Sequence, residues 1–400
     1  MSSIPTMNSS LSLSEDQQAA LQQVQQRLKD HDEAILVGPA GTGKTTLMRE
    51  FLSQWQGEVH LMAPTGKAAL RLMEVTGRNT STVHRALYQT SDELEMVRPD
   101  GTTITYLVFG KAKPPVPMGG LAVVDEASMV GSSLYADFME QLRLGGGSVL
   151  WVGDKAQLEP VNDTWGPNLD ESTAELTQIH RQAAGSPVLK LATLTRRGQA
   201  NLFDAWGDEV SYVDSQTLAD AMQWAGAEPD RMVLTWTNRV RHLANRVARV
   251  SRGFTGQSLM AGELILVRQN NHAIGVMNGE VLEVESVVVP TEAELYARLS
   301  RMLSEPLQVT TTCGRAFYID GQGLSGSTRG IPRGGDLARS IVQAEYGYCL
   351  TTHSAQGSQW REVRFLLCPG LRRKRDNADK LRLLYTAVTR ASERFIYHTL

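Results

Sequence analysis

Short apolar segments recur along the first part of the chain, and amphipathic segments lie between most of them. Each apolar segment ends in polar or glycine residues at its C-terminal edge, which is typical of buried parallel strands. The segments are residues 34–37, 59–63, 121–124 and 149–152. This alternation predicts an α/β fold with a parallel sheet, helices on both faces and ligands at the carboxyl ends of the strands.

Two local patterns flank this sheet. Apolar residues at helical spacing follow Ser14, and Ser14 with Gln17 has the spacing of a capping box, so a helix is predicted to begin there. Residues 95–98 and 104–109 are separated by Pro99-Asp100-Gly101-Thr102, a turn sequence, and this predicts a β-hairpin. We expect the hairpin to project from the first sheet as an insertion.

A second α/β pattern begins at residues 232–236, resumes at 346–352 and 363–367, and ends with a helix at 379–391 and a strand at 395–398. Between its halves, residues 262–288 are β-rich, 292–303 are helical in pattern, and 321–335 are rich in glycine. The expected boundaries are 1–160 for the first domain with its hairpin at 87–119, 161–260 plus 341–400 for the second, and 261–340 for a small β-rich insertion. An SH3-like barrel is one form that this insertion can take.

Amino-acid composition limits the classes of protein to which this chain can belong. Hydrophobic residues make up 42% and charged residues 21% of the chain, as in ordinary globular proteins, and no apolar run is long enough to span a membrane. The three cysteines have no metal-ligand spacing, so reduced thiols in a cytoplasmic protein are expected. From Arg231 onward there are 23 Lys+Arg against 14 Asp+Glu, and before it 17 against 29. A basic C-terminal part is compatible with a phosphate-backbone track, although solvated helical faces also carry such charge runs.

A glycine-rich sequence directly after the first strand matches the pattern GxxxxGK[ST]. Its backbone N–H groups can surround a β-phosphate, Lys44 can reach the β- and γ-oxygens, and the Thr45 hydroxyl can bind Mg²⁺. A plain glycine-rich turn is the alternative interpretation. The expected nucleotide-binding residues of this loop are Gly38, Pro39, Ala40, Gly41, Thr42, Gly43, Lys44, Thr45 and Thr46.

Two carboxylates end the apolar segment at 121–124. Asp125 is expected to hold Mg²⁺ together with Thr45, and Glu126 to orient and deprotonate the attacking water. Alone, such a pair is also compatible with a helix N-cap. After a phosphate-binding loop at this separation, it predicts hydrolysis of a nucleoside triphosphate with Mg²⁺ as the cofactor.

Six further segments resemble, in family order, the helicase motifs of RecD and of the phage Dda family. They are APTGKAA at 63–69 (motif Ia), STVH at 81–84, GDKAQL at 153–158 (motif III), LTQIHRQ at 176–182 (motif IV), GYCLTTHSAQGS at 347–358 (motif V) and LYTAVTRA at 384–391 (motif VI). The chain therefore resembles a superfamily 1B DNA helicase of the RecD/Dda-like kind. The resemblance implies two RecA-like domains with ATP between them and 5′→3′ movement along single-stranded DNA with separation of the duplex. It also implies a monomer in a bacterial or phage-infected cytoplasm that works at single-strand/duplex junctions beside replication or recombination proteins.

The resemblance also implies roles for residues around the nucleotide. Arg181 and Arg390 would neutralise charge on the transferred phosphoryl group, although an ordinary surface arginine forms ion pairs instead. Gln157 would sense the γ-phosphate, while Gln356 and Gly357 would face the nucleotide from the second domain. Gln17 would contact adenine, but its capping-box position offers a structural role for the same side chain.

DNA contacts are expected on loops at the other side of the sheets, where hydroxyls, backbone amides and a lysine can hold phosphates without reading bases. An isolated histidine is more often a core residue, and the aromatic residues Phe109 and Tyr106 can equally pack within the hairpin or stack at its tip. The expected contacts are Pro64, Thr65, Lys67, Thr82, His84, Phe109, Thr352 and His353.

Three positions depart from the family pattern. Motif V usually reads His-Lys-Ser-Gln-Gly, and Ser354 stands in place of the lysine, so one phosphate-binding cation is missing. Glu159 replaces a proline in motif III, and His180 replaces an aromatic residue in motif IV. These departures affect coupling and processivity more than hydrolysis, and the main alternative is a DNA-stimulated remodeller that does not unwind. A nucleotide-gated binding module is disfavoured by the intact catalytic residues, and a P-loop kinase would not need the second set of motifs.

Overall fold

The computed structural model describes residues 13–97, 103–111, 114–160, 163–179, 185–200, 206–214, 217–228, 230–256, 258–271, 273–326, 335–368 and 377–399. Its strands form three larger sheets and one hairpin. Within these ranges no helix is both long and apolar enough to cross a membrane.

The first sheet is entirely parallel and has the order β3-β2-β6-β7-β1-β8. Side chains of β1 alternate between two cores: Leu36 packs with helices α1 and α2, and Val37 packs with α5 on the other face. The strands are β1 Glu33–Val37, β2 Val59–Ala63, β3 Thr80–Thr82, β6 Leu121–Val124, β7 Ser148–Gly153 and β8 Ala174–Glu175. The helices are α1 Glu15–Asp30, α2 Lys44–Gln54, α3 Gly66–Thr76, α4 Val83–Leu87 and α5 Ser132–Gly145.

The first helix begins where the capping box predicts, since Ser14 is the N-cap and both hydrogen bonds of the box are present. The hairpin strands β4 Tyr88–Val97 and β5 Thr103–Lys111 pair antiparallel and are longer than the pattern suggests. The last strand of the first sheet lies beyond residue 160, where the first domain was expected to end. Pairing with β1 holds that strand in the first sheet.

The second parallel sheet has the order β16-β10-β17-β18-β9. Two α/β domains with parallel sheets are therefore present, as the sequence predicts. The strands are β9 Val210–Val213, β10 Arg231–Thr235, β16 Cys349–Thr351, β17 Trp360–Leu367 and β18 Ala391–Thr399. The helices are α6 Pro187–Arg196, α7 Leu218–Gly226, α8 Asn238–Ser251 and α11 Asn377–Val388.

The third sheet is antiparallel, has the order β14-β13-β12-β11-β15, and shares a core with the second domain. It consists of β11 Leu264–Val267, β12 Val281–Val288, β13 Pro306–Thr311, β14 Ala316–Asp320 and β15 Ala344–Tyr346, with helices α9 Ala293–Ser300 and α10 Gly335–Arg339.

The apolar run at 346–352 is not one strand, as the pattern suggests, but is divided between two sheets. Its first residue ends β15 in the insertion, and β16 in the second domain begins three residues later. Asn245 on α8 holds this break, because its Nδ2 donates to the Tyr346 carbonyl at 2.8 Å and its Oδ1 accepts from the Cys349 N–H at 2.8 Å. The insertion therefore extends past residue 340.

Candidate functional site

The phosphate-binding loop joins β1 to α2 and turns through Gly41 and Gly43, both of which have positive φ (82° and 77°). The Lys44 Nζ donates to the carbonyl oxygens of Gly38 at 2.6 Å and Pro39 at 3.2 Å, and the Thr42 hydroxyl also donates to Pro39. The ammonium group is thus held on the loop itself, at the N-terminus of a helix, where an anion is favoured.

Asp125 follows β6 and faces this loop. Its carboxylate accepts the N–H of Glu126 at 2.9 Å. Burial, followed by the charge of Glu126, raises the pKa of Asp125 to about 6, although the Glu126 N–H and the Lys44 charge oppose this shift. In the described part of the chain the Thr45 hydroxyl, in the first turn of α2 beside Thr46, has no protein partner. A buried carboxylate and a hydroxyl without a protein partner are both oxygen donors, and oxygen donors are the ligands that suit Mg²⁺.

Glu126 is the one non-glycine residue with positive φ (54°) among the residues described. Such a conformation is strained for a residue with a Cβ and is concentrated at functional sites. Its Oε2 accepts a hydrogen bond from the Gln157 Nε2 at 3.3 Å. The structure therefore brings the expected base and the expected sensor into contact.

Tyr385 on α11 connects the second domain to the phosphate-binding loop. Its hydroxyl donates to the carboxylate of Asp154 and accepts the N–H of Ala40 at 3.0 Å. Both side chains are almost fully buried, and burial raises the pKa of Asp154. Neither residue was predicted from the sequence as a site residue, although Asp154 lies in motif III and Tyr385 in motif VI.

Two side chains of the second domain form hydrogen bonds with the backbone of Leu158, which lies in motif III. Its N–H donates to the Thr386 hydroxyl at 3.1 Å, and its carbonyl accepts from the Gln356 Nε2 at 3.4 Å. Gly357 has positive φ (73°), and a Cβ there would lie 3.1 Å from the Cβ of Ala68. Motifs Ia, III, V and VI therefore meet at one interface.

Arg390 lies 4% exposed beside this interface. Its three nitrogens donate at 3.1 Å to the carbonyls of Thr386 and Ser358 and to the Thr389 hydroxyl. Burial lowers its pKa, and the charge of Glu126 is the largest opposing influence. Among the described residues no carboxylate lies within ion-pair distance of this guanidinium, so its charge is held by neutral acceptors close to the nucleotide site. Arg181 lies outside the described residues.

Gln17 is fully buried, and both ends of its amide are engaged within the protein. Its Oε1 accepts the N–H of Ser14 at 3.1 Å, and its Nε2 donates to the carbonyls of Thr42 at 3.3 Å and Gly43 at 3.4 Å. The side chain thus ties α1 to the phosphate-binding loop. A contact with adenine stays a prediction.

His84 and His353 lie in different domains but line the same cavity of about 450 Å³, together with Gln356. Burial lowers the pKa of both histidines, so both are neutral at pH 7. The cavity therefore has hydrogen-bonding walls without histidine charge. Two expected DNA-binding residues from different domains thus line one cavity.

Lys67, at the start of α3, lies with its Nζ 4.9 Å from the centre of the Trp360 ring in the second domain. Burial lowers its pKa to about 8. The half-buried Pro64 precedes α3, and a Cβ on Gly66 would lie 2.6 Å from Met277 of the insertion. All three structural units thus approach one another at motif Ia.

The three expected threonine contacts have structural partners. Thr65 and Thr82 are N-caps that accept from the N–H groups of Ala68 at 3.3 Å and Arg85 at 3.2 Å. Thr352 is fully buried, and its hydroxyl faces the carbonyl of Thr235 at 3.4 Å. Their contacts with DNA stay predictions. Phe109 lies in β5, and its side chain, like residue His180, is outside the described part.

Two of the family departures have charged partners that the sequence did not reveal. Glu159 forms an ion pair with Arg382 of α11, whose guanidinium also lies 4.7 Å from the centre of the Trp165 ring. Ser354 accepts from the Thr351 hydroxyl at 2.9 Å and from the Nη1 of Arg268 at 3.4 Å.

Comparison with known proteins agrees with this geometry. The AAA domain family model matches residues 12–217, and the UvrD-like helicase C-terminal domain model matches residues 346–396. The chain is 32% identical over 400 residues to the ATP-dependent RecD2 DNA helicase of Deinococcus radiodurans, and the match covers 96% of this chain and 48% of that protein. It is 24% identical to the conjugal transfer protein TraA of Rhizobium radiobacter, with 95% of this chain and 32% of that protein covered. The chain thus spans half or less of the length of these relatives.

Among solved structures, Bacteroides Pif1 bound to single-stranded DNA has a TM-score of 0.55 at 15% identity and matches 97% of this chain and 92% of that one. Pif1 from Candida albicans has a TM-score of 0.51 at 16% identity, with 97% and 94% covered. These likenesses show the shared fold. The chain also resembles RecD2 over most of its length and the UvrD-like helicase C-terminal domain over residues 346–396. Because the AAA domain model matches more than half of the chain, we conclude that the chain belongs to the AAA-domain family.

Proposed function

We propose that this chain hydrolyses ATP with Mg²⁺ and uses the opening and closing of its interdomain cleft to move 5′→3′ along single-stranded DNA and to separate duplexes. The observation that carries the proposal is a pair of interdomain hydrogen-bond sets: Tyr385 bonds to Ala40 and Asp154, and Thr386 and Gln356 bond to the backbone of Leu158. These bonds join the phosphate-binding loop and motif III to motifs of the second domain, so a change at the nucleotide alters the contact between domains.

At the nucleotide, each residue has a distinct task. Lys44 would exchange its carbonyl contacts for phosphate oxygens, and the backbone N–H groups of the loop would bind the β-phosphate. Thr45 and Asp125 would hold Mg²⁺, which neutralises charge on the phosphates when it is bound. Glu126 would accept a proton from the attacking water, and Gln157 would report on its state. Arg390 would bring positive charge from the second domain.

Gln17 contributes through the loop in this proposal. Its amide holds the carbonyls of Thr42 and Gly43, so it fixes the conformation in which the loop receives phosphate. Contact of the same amide with adenine would require release of one of these hydrogen bonds. Arg181 would complete the cation set from motif IV.

Single-stranded DNA would follow the loops of motifs Ia and V. Support comes from the cavity shared by His84 and His353 and from the position of Lys67 at the domain interface. Phosphate contacts of this kind hold DNA without regard to sequence. RecD2 is named as a DNA helicase and a Pif1 structure contains single-stranded DNA, which supports the same substrate here.

A DNA-stimulated translocase without strand separation is the second candidate. The specific observation in its favour is Ser354, which removes a phosphate-binding cation from motif V. The hairpin β4–β5 would then take no part in strand separation.

The testing experiment measures ATP hydrolysis with and without single-stranded DNA, and unwinding of duplexes that carry a 5′ or a 3′ tail. We expect DNA to stimulate hydrolysis, and a 5′ tail to support unwinding. Absence of stimulation would refute the motor, while preference for a 3′ tail would refute only the polarity. Stimulation without strand separation would support the translocase. Lys44→Ala is the control and should abolish turnover.

A further inference from the structure

Arg268 brings the base of the β-rich insertion to motif V. It directly follows β11, and its Nη1 donates to the Ser354 hydroxyl at 3.4 Å. Ser354 is also approached by the turn before β12, where a Cβ on Gly279 would lie 3.7 Å from the Ser354 carbonyl oxygen. The guanidinium of an insertion arginine therefore lies beside Ser354, the residue at which the family pattern has a lysine.

This arginine is only weakly held by its own ion pair. The Glu345 carboxylate is shared: it pairs closely with the buried Arg241, while the Arg268 Nε lies 3.5 Å away. By contrast, Arg249 makes a bidentate pair with Glu263 at 2.5 and 2.9 Å. Contacts of 3.4 and 3.5 Å lie at the long end of the hydrogen-bond range, so the Arg268 guanidinium can form shorter ones with a ligand.

The local charge is positive. Two guanidinium groups, Arg241 and Arg268, face the single carboxylate of Glu345. His242 adjoins Arg241, and burial followed by the charge of that arginine lowers the pKa of the histidine, so it adds no charge at pH 7. The Arg268 side chain is 30% exposed, whereas Arg241 is 2% exposed. The unbalanced charge therefore belongs to the more accessible arginine.

We propose that Arg268 supplies, from the insertion, the phosphate-binding cation that motif V lacks at Ser354. The ligand is the phosphodiester backbone of single-stranded nucleic acid, held without base selectivity. A guanidinium suits the task because its planar donors can bind two phosphate oxygens at once. This inference rests on the proposed function, in which the strand passes motif V.

The test compares binding of a fluorescent oligo(dT) of about 20 nucleotides over a range of salt concentrations. Arg268→Ala should weaken binding about 10-fold and lower the slope of log affinity against log salt by about 0.7, the value for one lost phosphate contact on a single strand. Adding Ser354→Lys to Arg268→Ala should restore both quantities. Arg298→Ala, which removes an exposed charge from α9 of the same insertion, should change neither.

The outcomes separate this inference from the proposed function. Weaker binding that Ser354→Lys does not restore, together with a lower melting temperature, would assign Arg268 a structural role and overturn the inference. If Arg268→Ala does not fold, Arg268→Gln retains a donor for Ser354 without the charge. Wild-type affinity and salt slope in that variant would overturn the inference alone. A wild-type chain that binds no oligo(dT) would refute the DNA track as well.

Discussion

The Tyr385 hydroxyl offers a direct test of how the two domains communicate. Tyr385→Phe keeps the ring and removes one oxygen, which leaves the Asp154 Oδ2 without its donor and the Ala40 N–H without its acceptor. The other Asp154 oxygen keeps the N–H of Ala156 at 3.0 Å. The substitution therefore removes the hydrogen bonds that join α11 to Asp154 and to the phosphate-binding loop.

The size of the expected loss in ATP hydrolysis follows from the burial of Asp154. Asp154 is 2% exposed, and removing one partner from a buried polar group costs about 1–3 kcal/mol. Because this contact crosses the cleft, the cost falls on the closed arrangement of the domains. A middle value of about 2 kcal/mol corresponds to about a 30-fold loss in kcat/KM for ATP hydrolysis.

The pH dependence of ATP hydrolysis gives a second test of the contact between Tyr385 and Asp154. Burial raises the pKa of Asp154, and loss of the tyrosine donor raises it further because only the charged form needs that donor strongly. Protonation therefore relieves part of the cost at low pH. The defect of Tyr385→Phe should therefore be larger at high pH, where Asp154 is charged, than at low pH, below the raised pKa of Asp154.

The assay is steady-state ATP hydrolysis at saturating oligo(dT) as ATP is varied. Tyr135→Phe is the matched control, since the Tyr135 hydroxyl donates to Glu33 at 2.8 Å within the first domain and does not cross the cleft. We expect the control to lose less than about twofold. A kcat/KM for Tyr385→Phe within twofold of wild type at both high and low pH would refute the reasoning.

Three further predictions follow from the same geometry. Glu126→Gln should lower kcat by about 10²–10⁴-fold while fluorescent ATP analogues still bind, and loss of binding would instead give the residue a structural role. The pKa of about 8 for Lys67 means that the lysine loses charge above pH 8, so DNA affinity should fall between pH 7 and 9 in wild type but not in Lys67→Arg. Glu159→Ala and Arg382→Ala should each slow hydrolysis and together slow it no more than either alone, and additive losses would show that the two residues act independently.

The amino-acid sequence by itself determined the features that depend on local order. Strand and helix positions follow from the spacing of apolar residues, and the phosphate-binding loop follows from glycines placed directly after a strand. Asp125 and Glu126 could be assigned because parallel strands gather their carboxyl ends at one edge of a sheet. The capping box at Ser14 also needs only residues three apart in the chain.

Only the tertiary structure decided which distant side chains meet. Tyr385 with Asp154, Arg382 with Glu159, and Arg268 with Ser354 are separated by most of a domain or more in sequence, and no local periodicity encodes their contact. The division between β15 and β16 likewise depends on Asn245 of a different element. Such contacts arise from the packing of whole sheets and helices, to which many residues contribute. The chemistry at the nucleotide could therefore be read locally, while the coupling between domains could not.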